Sequence, residues 1–98
     1  MLDAVKRYLR ITWDDEDDHL IDMIDRSKAY LNELAGAELD YDSDGLARSL
    51  LLDRVRYVYN NATEYFEENF HRELLRLQLS TGVALMDRED GEDVPDEG

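Results

Sequence analysis

The sequence predicts an all-α fold, a small bundle of three to four helices followed by an acidic C-terminal tail, disordered or arm-like. Three observations carry that prediction. Apolar residues recur at helical spacing from Leu2 to Leu77, with no strand-type alternation. The single proline, Pro95, lies beyond the periodic region. Acid runs, Gly36 and the segment "DYDSDG" at 40–45 fall between the apolar stretches, where helices start and stop. Residues 1–82 are read as one helical domain and 83–98 as the tail, and no internal repeat is present.

Leu2, Val5 and Leu9 define a first short helix that stops near Arg10, with Asp3 placed to pair with Arg7. Residues 11–14, Ile-Thr-Trp-Asp, connect it to a second helix over about 15–35. Asp14 or Asp15 is expected to cap that helix, and Asp15, Glu16, Asp17 and Asp18 suit the positive end of its dipole. Its buried stripe reads as Leu20, Ile21, Ile24, Leu31, Leu34 and Ala35; Asp22 pairs with Arg26, and Gly36 ends it. A third helix, about 45–62, is capped by Ser43 or Asp44 and buries Leu46, Leu50, Leu51, Val55, Val58, Tyr59 and Ala62. A fourth, about 64–80, presents Tyr65, Phe66, Phe70, Leu74 and Leu77 with Glu68 paired to Arg72, and Thr81-Gly82 should end it. Whether it continues the third through "NNAT" is open. "VALM" at 83–86 is an apolar stub, and "DREDGEDVPDEG" is too acidic and too poor in apolar residues to order itself.

Ninety-eight residues suffice for one modest core and leave little room for an enclosed active site. The chain carries 25 acids against 11 bases, a formal net charge of -14, so its field repels nucleic-acid phosphates and anionic membranes. The predominance of Asp and of Arg over Lys also suits a saline cytoplasm, where salt screens self-repulsion. Cysteine is absent, which excludes disulfides, thiolate metal sites and thiol nucleophiles. The longest large-aliphatic run is Leu50-Leu51-Leu52, far short of the ~20 residues that span a bilayer. The N-terminal "MLDAVKRYLRI" has charges inside its apolar pattern and does not read as a signal peptide, so an intracellular protein is expected and the sequon "NAT" at 61–63 has no consequence.

Asp40, Asp42, Asp44 and Gly45 reproduce the opening of a calcium-binding EF-hand loop. Its closing half is missing, because the twelfth place is Leu51, which offers no oxygen, and the ninth is the cation Arg48. The segment is read as a turn. His19 and His71 have no metal-ligand spacing, and Glu68-Asn69-Phe70-His71 supplies once a Glu-x-x-His that di-iron bundles need twice. Neither a Gly-x-Ser-x-Gly elbow nor a glycine-rich phosphate loop is present. The reading is therefore not an enzyme, with no cofactor and no metal.

Aromatic residues point elsewhere. Tyr57, Tyr59, Tyr65, Phe66 and Phe70 crowd the end of the third helix and the start of the fourth, and Trp13 sits in a short connection. They serve as core or as an interface, where Tyr, Trp and Phe are enriched.

"VKRYLRITWDDEDDHLIDMIDRSKAYLNELAG" at 5–36 and "LLLDRVRYVYNNATEYFEENF" at 50–70 together resemble the small head-tail connector proteins of tailed viruses, also called adaptor or head-completion proteins. The likeness lies in a short Leu-Arg-Ile helix, an acidic turn before a long amphipathic helix with an Ala-Tyr-Leu end, and an aromatic third helix. Many members carry Tyr-Glu-Asn-Arg there; Tyr59 and Asn61 match, while Asn60 and Ala62 stand in place of the acid and the arginine. The resemblance implies a virion neck protein, assembled in the host cytoplasm into a homo-oligomeric ring of about a dozen copies. Such a ring docks beneath the portal protein, prolongs the channel through which genomic DNA passes unbound, and offers a platform to the next neck or tail-completion protein. Interface residues expected on this reading are Trp13, Tyr57, Tyr59, Asn61, Tyr65, Phe66 and Phe70, with Val83, Leu85 and Met86 in a docking arm that orders on the portal. A second reading from the charge is an acidic helical DNA mimic or regulatory protein that occupies a basic partner.

Overall fold

The computed structural model describes the backbone of residues 1–93 and the side chains of residues 1–82, and the described residues are helical with no strand. The helices are α1 (Leu2–Leu9), α2 (Asp17–Ala35), α3 (Leu46–Tyr59), α4 (Phe66–Asn69) and α5 (His71–Asp93), with a 3-10 turn over Thr63–Tyr65 before α4. α2 and α3 form the central pair, and α1 and α5 each pack against both.

Three helices stop by the same device. At the end of α1, Arg10 is left-handed (φ 63°); its N–H donates to the Arg7 carbonyl at 3.2 Å, and the Ile11 N–H reaches back to Lys6 at 2.8 Å. Gly36 (φ 76°) repeats the pattern after α2, with its N–H near the Glu33 carbonyl at 3.3 Å and Ala37 bonded to Asn32 at 3.1 Å. Asn61 (φ 57°) repeats it after α3, bonded to Val58 at 3.1 Å, while Ala62 donates to Tyr57 at 2.8 Å. This paired reverse bonding satisfies carbonyls that a helix end would otherwise orphan. Asn61 therefore ends α3, and the following segment is a separate element.

Several expected boundaries are corrected. α2 begins at Asp17, and neither Asp14 nor Asp15 caps it, because no side chain bonds the free amides there. Asp14 and Asp17 instead each reach Lys6 Nζ at 2.7 Å, so part of the acid run braces α1. Gly45 occupies the cap position of α3 without a side-chain bond; Ser43 Oγ donates to Asp40 and Asp44 leans towards Arg48 at 3.7 Å. The expected fourth helix is split at Phe70 (φ -114°, ψ 22°), although Phe70 N–H still reaches Phe66 and Leu74 N–H reaches Phe70, both at 2.9 Å. Thr81-Gly82 does not end α5, which runs on to Asp93. A glycine stops a helix by turning left-handed, and Gly82 has no positive φ; Thr81 Oγ1 donates to the Leu77 carbonyl at 2.8 Å, a bond a helix accommodates. Residues 94–98 and the side chains of Val83, Leu85 and Met86 lie outside the described residues.

The core lies between α2 and α3. Leu20, Ile24 and Leu31 of α2 and Leu50, Leu51 and Val55 of α3 are buried in one cluster with Val5, Ile11, Phe66, Leu74 and Leu77. Each such burial stabilises by roughly 1.5–3 kcal/mol before entropy is charged against it. The α2 stripe is rotated from expectation: Met23 and Ser27 are buried, and Ile21 is 44% exposed. Leu46, Val58 and Tyr59 are only partly covered. Tyr41, from the aspartate loop, is a core residue; its hydroxyl donates to Asn32 Oδ1 at 2.8 Å, and burial pushes its pKa up to about 12. Asn32 Oδ1 also accepts the Leu39 N–H at 3.1 Å, which fixes the loop leaving α2.

Of the expected charge pairs, Asp22–Arg26 forms at 3.1 Å. Asp3–Arg7 and Glu68–Arg72 are absent from the ion pairs among the described residues.

Candidate functional site

The aspartate loop is a self-satisfied turn. Asp40 accepts the Asp42 N–H at 2.9 Å and the Ser43 hydroxyl at 2.8 Å, and these bonds hold its carboxyl below the usual range. Arg48 donates to the Tyr41 carbonyl at 3.1 Å, setting a guanidinium where the ninth EF-hand place would hand an oxygen to calcium. Among the described residues, no group of three or more His, Asp or Glu side chains is arranged to hold a metal ion. His19 and His71 are both exposed, on different helices.

The aromatic residues divide into an inner stack and an outer set. Phe66 is 0% exposed and sits at the centre of the stack: its ring lies 4.9 Å from Phe70, 5.5 Å edge-on from Tyr57 and 6.1 Å edge-on from Tyr30. Such arrangements suit the charge distribution of aromatic rings. Phe66 accordingly belongs to the core, and its expected place on an interface is corrected: as the first residue of α4 its ring is enclosed by Tyr30, Tyr57 and Phe70. Tyr57 and Phe70 are half-buried and 5.5 Å apart, and the Tyr57 hydroxyl accepts from Asn69 Nδ2 at 2.9 Å.

Arg54 holds the stack from the α3 side. Its guanidinium lies over the Tyr30 ring, 3.9 Å from the centroid, and 5.1 Å from Phe66. Its Nε is buried without a hydrogen-bond partner among the described residues, so the ring faces are its compensation. The Tyr30 hydroxyl donates to Glu67 at 2.7 Å, and burial, followed by that bond, pushes its pKa up to about 12.

The outer set consists of Trp13 (46% exposed), Tyr65 (55% exposed), the exposed Tyr8 and the half-buried Tyr59. Three of these rings are pinned at their polar tips. Trp13 Nε1 donates to Glu16 Oε2 at 2.8 Å, and Tyr59 approaches the same oxygen at 3.3 Å. The Tyr8 hydroxyl donates to Asp53, which also faces Arg56 Nη2 at 3.4 Å. That bond leads the causes that raise the Tyr8 pKa. Arg56 in turn lies 4.9 Å from the centre of the Tyr57 ring. Asp53, Arg56 and Tyr57 follow one another at i, i+3 and i+4, so they share a face of α3. Tyr8, Asp53, Arg56, Tyr57, Asn69 and Phe70 thus form a connected chain from α1 over α3 to α4.

Of the expected interface residues, Trp13 and Tyr65 present open rings, Tyr57, Tyr59 and Phe70 are partly covered, and exposed Asn61 acts through its backbone as the end of α3. Sequence reasoning missed Tyr8, Asp53 and Arg56. Tyr8 follows Val5 by three residues and Asp53 precedes Arg56 by three, but nothing local says that the two pairs meet across 45 residues.

No described helix is long and apolar enough to cross a membrane. Compared with protein families, curated proteins and solved structures, the chain matches none.

Proposed function

We propose that this chain is a structural wall segment of a tailed-virus neck: a head-tail connector whose copies close into a ring beneath the portal and extend the DNA channel. The observation that carries the reading is the pair of outward aromatic rings, Trp13 and Tyr8, each fixed at its polar tip by a carboxylate while the ring face stays open. A ring held in place loses little freedom when a neighbouring subunit covers it, which is how aromatic anchors favour association. Copies of a closed ring meet through unlike faces, and the surface around α1 and the end of α3 is one such face.

The acidic surface supports the same reading, since a conduit passes DNA more freely when its wall repels phosphate. The proposed role makes and breaks no covalent bonds and uses no bound cofactor; its partners are further copies, the portal and the next neck component. The DNA-mimic reading is weaker because several acids serve inside the protein, Asp14 and Asp17 on Lys6 and Asp53 on Tyr8. The test is co-assembly with a tailed-virus portal protein. The reading expects a joint ring-shaped particle, and a chain that stays monomeric with portal present overturns it.

A further inference from the structure

We infer that the acidic C-terminal segment of one copy docks into the basic groove of α1 on a second copy. The inference rests on the multi-copy reading above and names a contact within it. The groove is lined by Asp3, Lys6, Arg7, Arg10, Ile11 and Thr12. Lys6 is occupied by Asp14 and Asp17, whereas Arg7 and Arg10 are exposed and form no ion pair among the described residues. From Ala4 to Trp13 the chain carries three cations and no acid, the reverse of its overall balance.

Charge complementarity selects the occupant. Between Asp87 and Glu97 lie seven acids and one base, Arg88. Arginine matches carboxylates through paired N–H donors, and an acidic segment offers several such partners in sequence. The multi-copy reading brings a second chain beside this groove, and the contact is assigned between copies on that ground. Exposed ion pairs are individually weak, so the contact gains its occupancy where neighbours are already held side by side.

The absence of cysteine allows a direct test. Thr12→Cys places a thiol in the groove and keeps both arginines; Gly91→Cys places one in the acidic segment and keeps every acid. Full-length copies of the two variants, given different tags, are mixed at low ionic strength under mild oxidation. The expected result is a mixed disulfide several-fold more abundant than either like-with-like disulfide, and lost in about 1 M salt, where screening acts within ~3 Å. Adding Glu89→Lys and Asp90→Lys to the Gly91→Cys copy should remove the excess, and Arg76→Glu on α5 should leave it unchanged. Like-with-like and mixed disulfides in random proportion would overturn the inference. So would an intrachain disulfide as the main product of a chain carrying both cysteines. A ring imaged with portal but lacking the mixed disulfide would sink this contact alone; the mixed disulfide without any ring would sink the connector reading alone.

Discussion

Lys6 Nζ lies 2.7 Å from Asp17 Oδ1, which joins the last turn of α1 to the first turn of α2; Asp14 completes the grip at the same distance. The bonds to Asp14 and Asp17 raise the Lys6 pKa above its ordinary 10.5, and Lys6 holds the Asp14 carboxyl below 3.8. Both shifts stabilise the fold over a window of pH. The Asp14 contribution is present above its unfolded pKa near 4 and disappears as pH falls through its lower folded value. The Lys6 contribution is present below about 10.4 and disappears as pH rises through its higher folded value. Lys6→Met should therefore lower the urea midpoint at neutral pH and shrink its fall on acidification. An unchanged acid limb would show that the clamp does not couple to folding.

Gly36 carries φ 76° with open space where a Cβ would sit, so the cost of a side chain there is conformational. Gly36→Ala should destabilise by about 1 kcal/mol. Asn61→Val should cost more, since a β-branched residue is poorly suited to left-handed backbone. Denaturant titration checks both, and no loss in either variant would remove the helix stops from the account of the fold.

Ser27 is 1% exposed and its hydroxyl has no partner among the described residues. Ser27→Ala removes an unsatisfied polar group at little change of volume and should stabilise by about 1 kcal/mol. A clear loss of stability in thermal unfolding would mean that the hydroxyl has a partner in solution.

The two aromatic sets should separate cleanly under mutation. Phe66→Ala opens a cavity at the centre of the stack and should cost about 3–5 kcal/mol, a large share of the stability of a domain this size. Tyr65→Ala removes an open ring and should stay within about 0.5 kcal/mol of the parent. Circular dichroism with denaturant measures both. Similar losses in the two variants would contradict the division into inner and outer rings.

The helical class and the central pair were legible because Leu20, Ile24 and Leu31, and Leu50, Leu51 and Val55, repeat at helical spacing and are buried in one cluster. The stop at Gly36 was legible for the same local reason. The stop at Asn61 was not, because an asparagine turns left-handed only some of the time and Asn60 beside it offers the same chemistry. The acid run at 14–18 reads locally as a helix cap, yet Asp14 and Asp17 serve Lys6, a partner from another element. Of the candidate surface, Trp13 and Tyr65 were visible in the sequence. The Tyr8–Asp53 bond was not, since it depends on how α1 crosses α3 and leaves no local mark.

Imaging the protein mixed with a portal protein, the partner the proposed role requires, tests the central claim most directly, alongside a variant carrying Trp13→Ala and Tyr8→Ala. The account predicts a closed ring on the portal for the parent chain, and a folded chain that fails to close the ring for the variant. Portal particles that remain bare with the parent chain, or rings that form equally well with the variant, would contradict it.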